Sequence, residues 1–201
     1  MIRYDFLYKA GALYEDAGYI NLEVPWWVGR EIAGVTKPSE LVHDNEYMVS
    51  LNNKCLIASG EQGFIYMASK GQLPKGKFHT ITPCFRNEPH RLLNQKQFMK
   101  LELIEFFPQK VHEDHLNQQL SKMIETVERI WMQLHPGLCI RKTTTYTTDV
   151  AARGPSFDLE ILVKDQWIEL GSYGLRQHFM GTWVYGTGLA EPRFSKILTL
   201  L

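Results

Sequence analysis

Between Arg3 and Ala17 the apolar residues Phe6, Leu7, Ala10, Leu13, Tyr14 and Ala17 recur at steps of three and four. That spacing predicts a helix with one buried face, ended by Gly18. Tyr19 to Val24 then reads as a strand stopped by Pro25, which has no N–H for a ladder. The strongest helical stripe runs from Val111 to His135 through Leu116, Leu120, Met123, Ile124, Val127, Ile130, Trp131 and Leu134, and Pro136-Gly137 closes it. This helix is expected to pack the core, with His112, His115 and His135 at its surface or ends.

Elsewhere the period falls to two. Ile81 to Phe107 predicts two strands joined by a charged loop, and Phe157 to Val163 with Trp167 to Leu170 predicts a second hairpin around Lys164-Asp165-Gln166. A short helix is expected from Phe64 to Ser69. Trp26 to Asn53 is less regular: Pro38-Ser39 signals a turn, Glu46 to Leu51 is a candidate strand, and no chemistry is assigned there.

Alternation sorts the first hairpin into two faces. Met99, Leu101 and Leu103 point toward a core, while Arg86 and Glu88 share a face, as do Phe98, Lys100 and Glu102. The polar face carries a guanidinium fork suited to phosphate, an aromatic plate on which a purine can stack, and carboxylates that accept from an amine. Such a set fits a nucleotide beside an amine, or else an exposed face dressed with solubilising charge. Ser59 and Glu61 likewise read either as substrate contacts or as the N-cap and first turn of the helix that follows. Asp158 and Glu160 share one face, Glu169 aligns with Trp167 and Gly171 on its own strand, and the three acids lie on adjoining strands, where acids are costly unless paired or metal-bound.

The 201 residues, 44% of them hydrophobic, suffice for one sizeable core and one domain over residues 1–201. Lys plus Arg and Asp plus Glu both number 22, so no basic excess advertises nucleic acid. Cys55, Cys84 and Cys139 are odd in number and widely spaced, which fits a reducing, cytoplasmic setting better than a disulfide framework or a Cys-x-x-Cys zinc site. The N-terminal residues, with interspersed charges and no long apolar run, carry the expectation of neither a signal peptide nor a membrane span.

Phe85-Arg86-Asn87-Glu88 followed by Gln97-Phe98-Met99-Lys100-Leu101-Glu102 resembles motif 2 of class II aminoacyl-tRNA synthetases, in wording closest to the seryl and glycyl enzymes. Asn94 stands where the family often has an Arg or His that contacts the terminal phosphate, and His90 or Arg91 are the candidate substitutes. The helix, strand and Pro25 resemble motif 1, which builds the family's dimer interface. Ser59-Gly60-Glu61 resembles the amino-acid-binding Thr-x-Glu of seryl enzymes. Glu169 and Ser172 resemble a seryl metal and ATP segment, and Trp167, Ile168, Glu169, Arg176 and His178 a glycyl one. Tyr185 to Arg193 resembles motif 3, read as a glycine-rich strand-to-helix turn in which Gly186 and Gly188 let the backbone approach a nucleotide.

The resemblance implies an α/β (α+β) fold with a largely antiparallel sheet flanked by helices, and ATP-dependent formation of an aminoacyl-adenylate from a small amino acid, glycine or serine. It implies ATP held by Arg86, Glu88, Gln95, Phe98, Glu169, Ser172 and Arg193, with Arg86, Glu169 and Arg193 catalytic and magnesium (Mg2+) on Glu169. Ser59, Glu61, Glu102 and Thr187 would line a small amino-acid pocket. The acceptor is expected to be tRNA, or a carrier protein in a synthetase-like ligase; a silent paralogue with a regulatory binding role is the other alternative. A homodimer through residues 3–25 and no anticodon-binding domain complete the expectation.

Overall fold

A computed structural model describes residues 1–37, 47–49, 53–89, 91–146, 148–149 and 151–201. Helix α1 spans Tyr4–Asp16 and leads into the two-residue strand β1 (Ile20–Asn21). Strand β2 (Trp27–Gly29), helix α2 (Arg30–Val35), β3 (Met48–Val49), β4 (Lys54–Leu56) and helix α3 (Gly60–Ser69) follow. The first long hairpin is β5 (Gly76–Phe85) with β6 (Gln97–Phe107), after which helix α4 covers Glu113–Leu134. Strands β7 (Ile140–Thr145), β8 (Ala152–Val163), β9 (Gln166–His178) and β10 (Gly181–Glu191) precede the terminal helix α5 (Arg193–Leu198).

Seven strands form one sheet in the order β1-β5-β6-β10-β9-β8-β7, and β2-β4-β3 form a small second sheet. Among the described strands only β1 runs parallel to its neighbour. The expected strand over Tyr19 to Val24 pairs along Ile20–Asn21 alone. Its physical reason is a departure: Leu22 N–H still bonds the His79 carbonyl at 2.9 Å, but Trp26 already accepts from Ile57 N–H at 2.9 Å on the way into the second sheet. The turn signal at Pro38-Ser39 lies outside the described residues, and of the candidate strand at Glu46 to Leu51 the described part is β3.

The two faces of the large sheet are covered differently. Against one face α1, α4 and α5 pack their stripes: Leu7, Ala10 and Tyr14, then the whole predicted series from Leu116 to Leu134, then Phe194 and Ile197, all buried with Leu101, Leu103, Leu159 and Val184. Against the other, α2, α3 and the small sheet bury Ile32, Phe64, Ile65 and Cys55 over Phe78, Ile104 and Trp183. The apolar cover of this second face ends at Glu102, and there the sheet opens into a cleft.

Strand β10 corrects one expectation. Gly186 and Gly188 lie inside a fully buried strand, not in a turn before the helix. A Cβ on Gly188 would come within 2.3 Å of Leu101 Cδ2 and 3.0 Å of Tyr14 Cε2, and one on Gly186 within 2.5 Å of the Tyr173 ring. The missing side chains therefore admit protein from the helix side. Three core groups secure the same stretch: Tyr14 Oη and Trp131 Nε1 donate to the Gly188 carbonyl at 3.0 and 2.6 Å, and Tyr173 Oη to that of Thr187 at 2.7 Å. A register shift between Thr187 and Leu189 exposes those carbonyls to them.

Candidate active site

Register carries the polar face of the first hairpin into the cleft. Lys100 pairs with Thr82 on one side and Ala190 on the other, so Phe98, Lys100 and Glu102 rise from the middle of the sheet. Arg86, just past β5, continues the hairpin through its N–H to the Lys96 carbonyl at 2.9 Å. Its Nε donates to the Ala58 carbonyl at 3.2 Å, and its guanidinium carbon lies 5.3 Å from the centre of the Phe98 ring. Arg193, at the start of α5, is aimed by three acceptors: Asn94 Oδ1 at 2.8 Å, the Glu169 carbonyl at 3.3 Å and the Leu93 carbonyl at 3.4 Å. Asn94 thus positions an arginine where a phosphate-contacting side chain was expected. His90 lies outside the described residues, and Arg91 is exposed and does not line the cleft.

Arg86, Glu88, Gln95, Phe98, Thr187 and Arg193 line a cavity of about 180 Å³ together with Glu169 and Ser172. A second cavity, of about 290 Å³, is lined by Ser59, Glu61, Glu102, Asp158 and Arg176 among others. Arg86, Lys100, Glu169 and Ser172 belong to both, so the cavities are two ends of one cleft. Every expected site residue borders it. Glu169 and Ser172 both reach it although three positions apart, which simple alternation forbids. A register shift in the β8–β9 pair between Leu159 and Glu160 changes the phase, and Gly171, expected beside Glu169, turns its missing Cβ toward Trp131.

Ser59 caps α3, its Oγ accepting from Glu61 N–H at 3.3 Å, and also donates to Glu102 Oε2 at 2.5 Å. The N-cap reading of Ser59 therefore holds, and the residue also borders the second cavity. Glu61 departs from expectation: both its oxygens accept from Arg176 Nη1, at 2.6 and 2.5 Å, and Oε1 accepts from Trp183 Nε1 at 2.6 Å. A carboxylate so occupied positions Arg176, and Glu61 and Glu102 both border the second cavity. Burial pushes the Glu61 carboxyl above its usual range and Arg176 pulls it back. Burial also works against the Arg176 charge, but Glu61, Tyr185 and Asp149 outweigh it and hold the guanidinium pKa above its ordinary value. Arg176 lies 3.8 Å over the Tyr185 ring and bonds Asp149 through Nη2.

Asp158 is pushed up to about 6, first by burial and then by the charge of Glu169. Glu169 itself keeps a half-exposed side chain 3.7 Å from Arg193 Nη1. Such hard oxygen donors suit magnesium, which is commonly held by one or two carboxylates plus substrate phosphates. Among the described residues no cluster of three or more His, Cys, Asp or Glu side chains is placed to hold a metal unaided.

Asp149, Tyr185 and Trp183 carry no sequence signal that places them in the site, and Arg176 carries only the glycyl likeness. A lone arginine within the apolar run of β9 was the available signal, because a buried charge requires a partner. Nothing local marks Asp149.

Residues 47–182 match the tRNA synthetase class II core domain (G, H, P, S and T). A serine--tRNA ligase of Desulfosudis oleivorans is 31% identical over 93 residues, covering 42% of this chain and 20% of that protein. Among solved structures, a cytoplasmic serine-tRNA ligase from Naegleria fowleri in complex with AMP superposes with a TM-score of 0.77 at 18% identity, over 98% of this chain and 49% of that one. A seryl-tRNA synthetase from Pyrococcus horikoshii complexed with ATP gives 0.75 at 16% identity, over 96% and 48%. The chain spans a fifth of the first relative and about half of the two structures.

Proposed function

The chain belongs to the tRNA synthetase class II core domain family, and from that premise we propose that it activates a small amino acid, serine or glycine, with ATP and passes it to tRNA. The observation that carries this reading is convergence. Arg86, Phe98 and Arg193, up to 107 positions apart (193 − 86), border one cavity that continues into a second around Ser59 and Glu102. The serine--tRNA ligase relative favours serine.

In this reading adenine stacks on Phe98 with its amine toward Glu88, while Gln95 and Ser172 border the nucleotide. Arg86 meets the α-phosphate and Arg193 the outer phosphates. Two anions must meet for the carboxylate to attack phosphorus, and fixed cations in a confined cleft offset their repulsion. Glu102 and Ser59 take the ammonium, with Thr187 beside them and Glu61 beneath. Glu169 is the residue that would hold magnesium, whose contribution is to neutralise phosphate charge.

ATP–pyrophosphate exchange across a panel of amino acids tests the reading, with serine and glycine expected to support it. Loading assays with tRNA and with carrier protein then identify the acceptor, and nucleotide binding without any exchange would leave a silent binding protein. A homodimer through residues 3–25 is supported by the exposed Tyr8 on α1 and Ile20 on the sheet edge, 65% and 59% accessible. Sedimentation that finds monomers would remove it. The free thiols Cys55, Cys84 and Cys139 support a cytoplasmic setting, and no helix among the described residues is long and apolar enough to cross a membrane.

A further inference from the structure

Glu102, the acid that the adenylation reading sets toward a ligand ammonium, already holds one. Lys100 Nζ lies 2.9 Å from Glu102 Oε1, while Ser59 Oγ occupies Oε2 at 2.5 Å. Lys100 comes from the adjacent position on the same strand face, and with Arg86 it borders both cavities. That junction is where the carboxylate of an amino acid in one cavity meets the α-phosphate of a nucleotide in the other. The Arg86 guanidinium is tethered to the Ala58 carbonyl and rests against Phe98, whereas a lysine carries its charge on a four-carbon stem with rotatable donors.

We propose that Lys100 is a catalytic residue that exchanges partners. An arriving amino acid places its ammonium on Glu102 in place of Lys100. The freed Lys100 ammonium then turns to the incoming carboxylate and the non-bridging oxygens of the α-phosphate. One cation replaces another on the buried acid, so the exchange leaves no uncompensated charge at Glu102. In the transfer a carboxylate oxygen supplies the electron pair for the new bond to the α-phosphorus. The bond from that phosphorus to the bridging oxygen breaks, its pair leaves with pyrophosphate, and no proton moves. Lys100 stays protonated and offsets the negative charge gathered on the five-coordinate phosphorus. This inference rests on the adenylation reading.

Lys100→Met keeps the stem and removes both the charge and the internal competitor for Glu102. In ATP–pyrophosphate exchange kcat is expected to fall about a hundredfold, while KM for the amino acid stays level or drops. A residue that merely braced Glu102 would raise KM instead. Lys100→Arg, which keeps a cation, is expected to recover part of kcat. Unchanged kcat in Lys100→Met, or a raised KM with kcat preserved, overturns the proposal. Should Lys100→Met not fold, the wild-type chain still decides: the ¹⁵N signal of the Lys100 ammonium, assigned by its loss in Lys100→Arg, is expected to shift when serine alone saturates the site. A signal that stays in place overturns the exchange. Absence of wild-type exchange with every amino acid removes the adenylation reading itself, whereas normal exchange in Lys100→Met removes only the role given to Lys100.

Discussion

At the end of the cleft that holds Phe98 and Arg193, positive charge is aimed chiefly by neutral oxygens. Arg193 rests on the Leu93 and Glu169 carbonyls and Asn94, and Arg86 on the Ala58 carbonyl. At the end that holds Arg176, charge meets charge: one guanidinium is clasped by Glu61 and Asp149, all three nearly inaccessible at 5%, 3% and 8%. A cation steered by dipoles keeps charge available for an anionic ligand. A cation enclosed by two carboxylates has spent it on the protein. Arg86 and Arg193 are thus placed to act and Arg176 to hold shape, and substitutions should divide along that line.

The largest effect is expected at Arg176. Arg176→Met removes the shared partner of two buried acids, and such a loss costs about 3–5 kcal/mol. Urea unfolding followed by circular dichroism should show the midpoint falling accordingly, and a change below about 1 kcal/mol would erase the distinction between the two ends. Arg86→Ala should do the reverse. Its side chain gives up one hydrogen bond, worth about 1 kcal/mol of stability, while pyrophosphate exchange should drop about a hundredfold or more. A variant that unfolds before it loses exchange would place Arg86 with the structural charges. Phe98→Ala comes next: losing a stacking plate costs about 1–3 kcal/mol per base, so KM for ATP should rise roughly tenfold with kcat little altered.

The same division explains what could be read from the chain. Arg86, Phe98 and Glu102 were legible because alternation over a few residues decides which way a strand side chain points. The α4 stripe was legible for the corresponding helical reason, and every residue named in it is buried. Contacts such as Arg176 to Glu61, 115 positions apart, and Trp183 to Glu61, 122 apart, have no local signature. Where a register shift changes the phase, alternation misleads, as it did for Gly171 beside Glu169. Gly186 and Gly188 were recognised as necessary but for the wrong neighbour, since a glycine does not reveal whether a ligand or a tyrosine needs the space.

The smallest predicted effect lies at Asp158, which lines the second cavity and feels the charge of Glu169. Burial and the Glu169 charge raise its carboxyl from an ordinary 3.8 to about 6, so the folded chain binds this proton more tightly than the unfolded chain does. The resulting contribution is fully present below about pH 4 and is lost as pH rises through about 6. Above that the folded state carries an uncompensated repulsion between Asp158 and Glu169. Because Asp158 is only half-buried, water screens the effect to about 1 kcal/mol or less. Asp158→Asn removes the group, and the difference in unfolding free energy between variant and wild type should grow in the variant's favour from pH 4 to pH 7. If that difference is flat across the range, Asp158 is already compensated. It would then belong with Glu61 and Asp149 among the paired acids and not with Glu169 on the open side of the cleft.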